Sequence, residues 1–279
     1  MTLLGKRLAV SIPDTVLEEK ESPREKTAKV GTIARACAIY GVDTIEIFRD
    51  PRGRGEGPWV RKVLEYLETP QYLRRRIYPI DESLKYAGIL PPLRIPSHKV
   101  KVRLDQVAVG DVREGLTNGD GTVDVGLDAS LRLEGKSPAG RRVTVKIVDV
   151  SPPTAAAIPR ETAGAYWGYE VEEKVYAEVL EDRRFEVKVA TSRMGKPLKS
   201  VLGTLGVAMR GASGVKLIFG PPSRGLYEIF GRRLTEGADF VVNLYPEQHV
   251  ETVRTEEAIF AGLGLVSAVL TVVRCMNPR

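Results

Sequence analysis

Residues 243–258, NLYPEQHVETVRTEEA, are the stretch from which the fold follows most directly. They come after a largely apolar run, residues 239–242, that is typical of a buried strand, and they lead into a long apolar helix predicted to begin near Thr255. Thr255 offers an N-cap hydroxyl, and the two glutamates after it suit the positive end of the helix dipole. A loop between a buried strand and a helix is a common ligand site in α/β proteins, although this pattern also fits a helix cap without any further role.

Two earlier strands are predicted to end in loops of similar composition. Residues 216–219 lead into GPPSRG at 220–225, and residues 185–190 lead into TSRMG at 191–195. Glycine, proline, serine and threonine are frequent in these loops, and ligands bind at the carboxyl ends of the strands in open α/β sheets. We therefore expect the three loops to fold against each other into one pocket.

Three loops of this kind resemble those of the knotted SPOUT class of RNA methyltransferases, where they hold S-adenosylmethionine in a bent conformation. The run VRTEEA at 253–258 is similar to the LRTETA-type motif of the bacterial ribosomal uridine-N3 methyltransferases. The chain resembles more closely the archaeal and eukaryotic family of RNA uridine-N3 methyltransferases, through RIYP at 76–79, LKYAGILPPL at 84–93 and the stretch at 243–258. This resemblance covers most of the chain, including an inserted β-rich segment.

The resemblance implies a discontinuous α/β domain of the SPOUT type, with a parallel sheet and a C-terminal trefoil knot, although knots are rare in proteins. This domain is expected at residues 1–93 and 160–279, and an inserted OB-like β-barrel is expected at 94–159. The resemblance also implies a homodimer with its sites near the interface. The apolar helix at 258–273 is a candidate contributor, because it is apolar on more than one face.

The implied activity is S-adenosylmethionine-dependent methylation of RNA, with N3 of a ribosomal uridine as the expected target. Two other functions fit the same sequence. One is a non-catalytic RNA-binding or ribosome assembly factor with a vestigial cofactor pocket, and the other is a SPOUT methyltransferase that acts on tRNA or on another base position. The sequence leaves open the target nucleotide and the need for a partner protein.

Alternation of strand and helix patterns supports a parallel sheet on both sides of the insert. Strands are predicted at 6–12, 42–48, 185–190, 216–219 and 239–244, and helices at 25–40, 59–67, 71–76, 176–183, 197–209 and 224–230. Since the same rhythm resumes after the insert, the two flanking segments should form a single domain.

The insert is predicted to contain strands at 98–109, 121–133 and 142–150, with 151–159 as the return linker. Lys99, Lys101 and Arg103 would share one face of the first strand and bind RNA backbone there. The alternative is a spacer, and the insert lacks the stacking aromatic residues that favour tight binding of single strands.

Two further basic stretches are candidates for phosphate contact, because guanidinium forks match phosphate oxygens. Arg74, Arg75 and Arg76 form the densest basic cluster and are the expected RNA-binding edge. Arg52 and Arg54 lie in a loop rich in glycine and proline. For both stretches a solvated surface role is the alternative.

Composition narrows the possible compartments and partners. The net charge of +6 suits an anionic partner such as RNA. The longest apolar run, 258–273, is shorter than the roughly 20 residues of a membrane span. Cys37 and Cys275 are far apart, and with only two histidines they offer no zinc-site spacing, so no metal is expected. Buried free thiols are typical of a reducing compartment, which favours a cytoplasmic location.

Cofactor contacts are expected from all three loops. Glycines let the backbone approach a ligand closely, and prolines stiffen the loops before binding. Polar side chains there would bind ribose or the methionine end, although each also fits an ordinary turn. The expected cofactor-binding residues are Thr191, Ser192, Arg193, Gly220, Pro221, Gly225, Asn243, Leu244, Pro246, Gln248, Thr252, Val253 and Thr255.

Arg254 and Glu256 are the candidate catalytic residues. Methyl transfer is an in-line displacement that needs orientation rather than a covalent intermediate, but the proton on a uracil N3 must leave. Arg254 would stabilise the resulting anion or hold a substrate phosphate, unless it only pairs with Glu251 or Glu257. Glu256 would orient Arg254 or only interact with the helix dipole. No residue stands out as a general base.

Overall fold

The computed structural model describes residues 5–17 and 21–275. The strands are β1 (Arg7–Pro13), β2 (Thr44–Arg49), β3 (Val112–Thr117), β4 (Thr122–Asp124), β5 (Leu131–Glu134), β6 (Arg142–Val150), β7 (Pro153–Ala157), β8 (Glu170–Val175), β9 (Val187–Pro197), β10 (Gly214–Ile218) and β11 (Phe240–Asn243). The α-helices are α1 (Pro23–Ile39), α2 (Gly57–Glu68), α3 (Gln71–Ile77), α4 (Tyr176–Glu181), α5 (Leu198–Gly211), α6 (Leu226–Phe230), α7 (Arg233–Gly237) and α8 (Thr255–Cys275).

These elements form two compact units. Unit 1 contains the chain up to residue 65, residues 86–91 and the chain from residue 169 onwards, and unit 2 contains residues 66–85 and 92–168. The division differs from the predicted one chiefly because residues 66–85 belong with the β-rich segment. In unit 2, the Tyr72 hydroxyl of α3 donates to the carbonyl oxygen of Glu114 at 2.8 Å, which ties this helix to β3.

Unit 1 is built on a six-stranded sheet in the order β11-β9-β10-β1-β2-β8. Every neighbouring pair is parallel. Most residues of β1, β2 and β10 are buried, as parallel strands require when helices cover both faces. The parallel sheet predicted from the sequence is therefore confirmed, and the carboxyl ends of β9, β10 and β11 lie side by side.

The apolar helix α8 packs on α1 and α5 within unit 1. Its two interior glycines allow close packing: a Cβ on Gly262 would lie 3.1 Å from the Phe219 ring, and one on Gly264 would lie 3.0 Å from the Tyr40 hydroxyl. Cys37 of α1 is a buried free thiol, as predicted. The side chain of Cys275 lies outside the described part of the chain.

Unit 2 contains a closed five-stranded barrel in the order β3-β4-β5-β7-β6. The pair β5–β7 is parallel, and the other pairs are antiparallel. Alternate side chains fill its core, which includes Val123, Leu131, Val145 and Ile147. A β-barrel in the insert is thus confirmed.

Several predicted elements of the insert were wrong in detail. Residues 98–109 form no strand and contain one short 3-10 turn at Leu104–Gln106, because Val102, Leu104 and Val107 pack on the barrel core without joining its ladders. The predicted strand 121–133 is split into β4 and β5. The predicted linker 151–159 contains β7, which pairs with both β5 and β6.

One strand of unit 1 was missed from the sequence. The strand is β8, EVEEKV, and it pairs only with β2 at the edge of the sheet. The strand lacks the apolar run that marks a buried strand, because it lies at the edge of the sheet and is only partly buried.

Candidate functional site

The three predicted loops line one pocket at the carboxyl edge of the unit 1 sheet. Its volume is about 210 Å³, several times the roughly 30 Å³ that one water occupies in the liquid, so it suits an organic ligand rather than a single ion. All the expected cofactor-binding residues except Pro246 line this pocket. The first residues of α6 and α8 complete the wall.

The first loop, residues 191–195, is a bulge inside β9. Val241 and Val242 are adjacent in β11, yet they pair with Ala190 and Lys196 of β9. A Cβ on Gly195 would lie 2.7 Å from the backbone of Val242, so only glycine fits without displacement. The sequence predicted a loop here, and the structure places it within a continuous extended segment.

The bulge is held by hydrogen bonds to its neighbours. Thr191 Oγ1 donates to the carbonyl oxygen of Ile218 at 3.1 Å, and Ser192 Oγ accepts from the backbone N–H of Met194 at 3.2 Å. Asn243 Nδ2 donates to the carbonyl oxygen of Arg193 at 3.0 Å. Hydrogen bonds thus join the first loop both to β10 and to the end of β11.

The second loop follows β10 and meets the start of α8. Thr255 Oγ1 donates to the carbonyl oxygen of Gly220 at 3.1 Å, and Thr255 is only 3% exposed. A Cβ on Gly220 would lie 3.1 Å from the carbonyl oxygen of Arg224, so the loop is tightly folded at that point.

The predicted N-cap at Thr255 was therefore wrong. The carbonyl oxygen of Arg254 accepts from the N–H of Ala258 at 3.0 Å, and the Glu257 carboxylate accepts from the N–H of Arg254 at 2.9 Å. Arg254 thus occupies the N-cap position, and its backbone is satisfied by the third residue of the helix. The Thr255 hydroxyl is left to join two of the loops.

The third loop, after β11, is held by hydrogen bonds between its side-chain amides and its own backbone. Asn243 Oδ1 accepts from the N–H of Tyr245 at 2.9 Å. Gln248 Nε2 donates to the carbonyl oxygens of Val250 at 2.7 Å and Glu251 at 3.0 Å. These contacts fix the loop before any ligand binds, which reduces the ordering cost of binding.

The two candidate catalytic residues do not line the pocket. Arg254 is exposed next to it. The Glu256 side chain is only 12% exposed and lies 3.9 Å from Lys29 Nζ of α1. Burial raises the pKa of Glu256 above its usual value. Within the described residues, Glu256 Oε2 has no hydrogen-bond partner.

Sequence reasoning missed Arg224 and two tyrosines of the pocket wall, Tyr227 and Tyr245. Arg224 Nη2 forms an ion pair with Asp50, which is buried at the end of β2. The partners are distant in sequence, so only the order of β10, β1 and β2 in the sheet brings them together. The signal that could have found Arg224 is its place in the loop GPPSRG.

The basic residues predicted to bind RNA in unit 2 differ in their surroundings. Arg74 donates to the carbonyl oxygens of Thr69 at 2.9 Å and Leu67 at 3.0 Å. Arg76 binds Asp124 at 2.9 Å. Arg103 pairs with its near neighbour Asp105. Exposed side chains are found at Arg75, Lys99 and Lys101.

Metal-binding clusters and membrane-spanning helices are absent from residues 5–17 and 21–275. No group of His, Cys, Asp and Glu residues there could hold a metal ion. None of the helices in this part of the chain has the length and apolar character needed to span a membrane.

The chain is similar to known proteins over most of its length. A family model described as "Putative RNA methyltransferase" matches residues 7–266. An uncharacterized protein of Haloarcula marismortui is 33% identical over 278 residues, which cover 91% of this chain and 96% of that protein. The human 28S rRNA (uridine-N(3))-methyltransferase is 32% identical over 305 residues, covering 94% of this chain and 79% of that protein.

Similarity to solved structures is weaker. One solved structure is that of a probable methylase family protein from Haemophilus influenzae Rd KW20. It aligns with 98% of this chain and 68% of its own, at 8% identity and a TM-score of 0.44. Family membership rests instead on the family model, which matches most of the chain. The protein therefore belongs to this family of RNA methyltransferases.

Proposed function

We propose that this protein transfers a methyl group from S-adenosylmethionine to N3 of a uridine in ribosomal RNA. The observation that carries the proposal is the convergence of the bulge in β9 and the loops after β10 and β11 on one pocket. The target is suggested by the human relative, whose name is 28S rRNA (uridine-N(3))-methyltransferase.

The pocket residues fit a donor with apolar, polar and charged parts. The wall combines Tyr227, Tyr245 and Leu244 with the polar side chains of Thr191 and Ser192. S-adenosylmethionine, when bound, supplies an electrophilic methyl group. The close backbone approach at Gly220 would hold the adenosine part, and the prefolded third loop would hold the rest of the donor without a large ordering cost.

Arg254 is the proposed group that stabilises the anion formed when the uracil N3 proton leaves. It is exposed at the N-cap of α8, next to Val253 and Thr255 of the pocket wall. Glu256 is proposed to orient it, with its carboxylate shielded from solvent beside Lys29. Replacement of Arg254 should therefore reduce methyl transfer more than it reduces binding of the methyl donor.

The Arg254→Ala variant tests this role. We expect cofactor affinity to stay nearly unchanged and methyl transfer to fall at least about tenfold, which is roughly 1.4 kcal/mol in the barrier. Arg233→Ala is the matched control, because Arg233 is an exposed arginine at the start of α7 that does not line the pocket. Unchanged turnover in the Arg254 variant would remove this residue from the mechanism.

The finer fold assignment is part of the proposal. Parallel pairing of the third and fifth barrel strands, with antiparallel pairing elsewhere, supports an OB-like barrel. The Thr255–Gly220 hydrogen bond brings the chain after β11 back across the loop after β10, which supports a trefoil knot. An experimental chain trace that leaves residues 187–275 unthreaded would remove the knot.

A homodimer is proposed as the working assembly. The expected helix at 258–273 lies within α8, several of whose apolar residues are buried within its own unit. The better candidate surface is α5, where Leu202 is 41% exposed and Val207 is 67% exposed. Light scattering should give the mass of a dimer, and a single monomeric species would contradict it.

Exposed Arg75, Lys99 and Lys101 stay the proposed RNA contacts of unit 2, because charged side chains at the surface can neutralise phosphates. The proposed location is the cytoplasm, where the free thiol of Cys37 would stay reduced.

Mass spectrometry of ribosomal RNA nucleosides tests the proposed function. RNA from a strain that lacks the gene should lose 3-methyluridine, and the purified protein with S-adenosylmethionine should restore it. An unchanged rRNA profile together with a lost tRNA modification would mean that the target is tRNA and not rRNA. Failure of the purified protein to bind S-adenosylmethionine at micromolar concentrations by calorimetry, and to restore the modification, would favour the assembly-factor alternative.

A further inference from the structure

The loop after β2, residues 50–55, lies at the carboxyl edge of the sheet, and the proposed function so far gives it no role. It begins with Asp50, which is 1% exposed. Asp50 Oδ2 accepts from Thr15 Oγ1 at 2.9 Å, and Asp50 Oδ1 accepts from the N–H of Arg52 at 2.9 Å. The backbone N–H of Asp50 in turn donates to Asp14 Oδ1 at 2.9 Å. The start of the loop is therefore rigidly held.

Asp50 also connects this loop to the pocket. It forms an ion pair with Nη2 of Arg224, and Arg224 lines the pocket wall. The Arg224 side chain is 21% exposed, whereas that of Asp50 is fully buried. A guanidinium has five N–H donors, so an arginine anchored through one nitrogen can still bind an anion with the others.

The loop backbone lies directly on this ion pair. A Cβ on Gly53 would lie 3.1 Å from Arg224 Nη2 and 3.3 Å from Asp50 Oδ2, so a larger residue would disturb the pair. Arg52 and Arg54 flank Gly53 and are exposed. The loop that carries Arg52 and Arg54 thus meets Arg224 beside the pocket, although Arg224 is far from it in the sequence.

We propose that Arg52, Arg54 and Arg224 bind the phosphates of the RNA next to the nucleotide that enters the pocket. The proposal rests on the proposed function, because it takes RNA as the substrate. A methyl donor with a single carboxylate needs one cationic partner, whereas a loop with two exposed arginines next to a third arginine matches a polyanion. Arginine forks also suit phosphate oxygens in geometry and charge.

Salt dependence of RNA binding tests the proposal without cofactor or turnover. The probe is a fluorescein-labelled oligouridylate, titrated at several salt concentrations. Each lost phosphate contact should reduce the slope of log K against log salt by about 0.7 for a single strand. We expect a reduction of about 1.4 for the variant R52Q/R54Q and about 0.7 for R224Q.

A double variant with the same charge change serves as the control. R7Q/R233Q removes two exposed arginines outside the pocket wall, one at the start of β1 and one at the start of α7. Its slope should stay that of the native protein. A reduction equal to that of R52Q/R54Q would overturn the proposal, because overall charge would then explain both.

The remaining outcomes separate this proposal from the proposed function. An unchanged slope in R52Q/R54Q, with native folding by circular dichroism, overturns the RNA contact even if the enzyme methylates RNA. If R224Q weakens S-adenosylmethionine binding by calorimetry and leaves the slope unchanged, Arg224 binds the donor and its assignment to RNA is overturned. A reduced slope in a protein that methylates no uridine supports this surface and refutes the proposed function.

Discussion

Several arginines of unit 2 are paired internally, whereas several at the carboxyl edge of the unit 1 sheet are exposed. In unit 2, arginine side chains bind carboxylates and carbonyl oxygens of the same unit, at Arg74, Arg76, Arg113, Arg142 and Arg160. At the carboxyl edge of unit 1, Arg52, Arg54 and Arg193 are exposed beside the pocket. A dense run of basic residues in the sequence therefore says little about RNA binding until the internal partners of each side chain are known.

The contrast is sharpest around Glu68 and Glu114, whose side chains are each 3% exposed. Arg142 bridges them, with Nη1 at 2.5 Å from Glu68 and Nε at 2.6 Å from Glu114. Arg160 adds a second ion pair with Glu68. Burial raises the pKa of Glu68, and the two arginines oppose this shift. The ion pairs thus offset part of the cost of removing these carboxylates from solvent.

The largest expected effect follows from breaking that cluster. Arg142→Leu leaves two buried carboxylates without their shared partner and should destabilise unit 2 by about 3–5 kcal/mol. Hydrogen exchange resolves the two units separately, so amides of the barrel strands should exchange faster while those of β1 and β10 stay protected.

Arg141→Leu is the matched control for this change. Arg141 is the exposed neighbour of Arg142, so its replacement should leave barrel exchange within about 0.5 kcal/mol of the native value. Equal effects of the two variants would mean that the buried ion pairs of Arg142 do not contribute more to the stability of unit 2 than an exposed arginine does.

The next largest expected effect is a pH dependence of the stability of unit 2. Burial lowers the pKa of His98 to about 4, although its Nε2 lies 2.8 Å from the carbonyl oxygen of Glu68. Between about pH 6.5 and 4 the unfolded chain binds a proton that the folded unit does not. The free energy of unfolding of unit 2 should therefore fall as the pH is lowered through this window.

His98→Gln isolates this contribution, because the amide can donate to the same carbonyl oxygen and does not titrate. We expect the native unit to lose more stability than the variant between pH 6.5 and 4, as measured by hydrogen exchange at matched intrinsic rates. Identical pH dependence in the two proteins would show that folding does not change the pKa of His98.

Much of the α/β core and most of the pocket could be predicted from the sequence. Apolar runs such as that in β10 predict buried parallel strands without knowledge of which strands they pair with. The glycine, proline, serine and threonine content of the loops predicts the ligand-binding edge of the sheet. The barrel strands were predicted less well, because the turn at Gly126 interrupts the predicted strand 121–133 without changing its alternating polarity. The sequence also could not show that Arg224 meets Asp50, since that pair depends on sheet order.

A smaller effect concerns the hydrogen bond that joins two loops of the pocket. Thr255→Val should weaken the contact with Gly220 by about 1 kcal/mol and increase hydrogen exchange in the second loop. Thr271→Val is the control, since Thr271 is an exposed residue of the same helix whose hydroxyl bonds only to Ser267 one turn earlier. Equal exchange of the second loop in both variants would contradict the role given to Thr255.

The smallest effect is expected for an exposed ion pair of unit 2. Arg76→Gln removes the contact with Asp124, and both side chains are partly exposed. The loss should be below about 1 kcal/mol and should shrink further at high salt. Thermal unfolding at low and high salt measures it, and a loss as large as that of Arg142→Leu would erase the distinction between buried and exposed arginines.

Calorimetry with S-adenosylmethionine tests most directly the claim that the three loops form one donor pocket. The native protein should bind one molecule per chain, and Gly220→Val should weaken binding at least about tenfold, or 1.4 kcal/mol, because the new side chain would crowd the tightly folded loop. Gly203→Val, at a site with open space around it, should bind like the native protein. No binding by the native protein at micromolar concentrations, or native affinity in the Gly220 variant, would contradict the account.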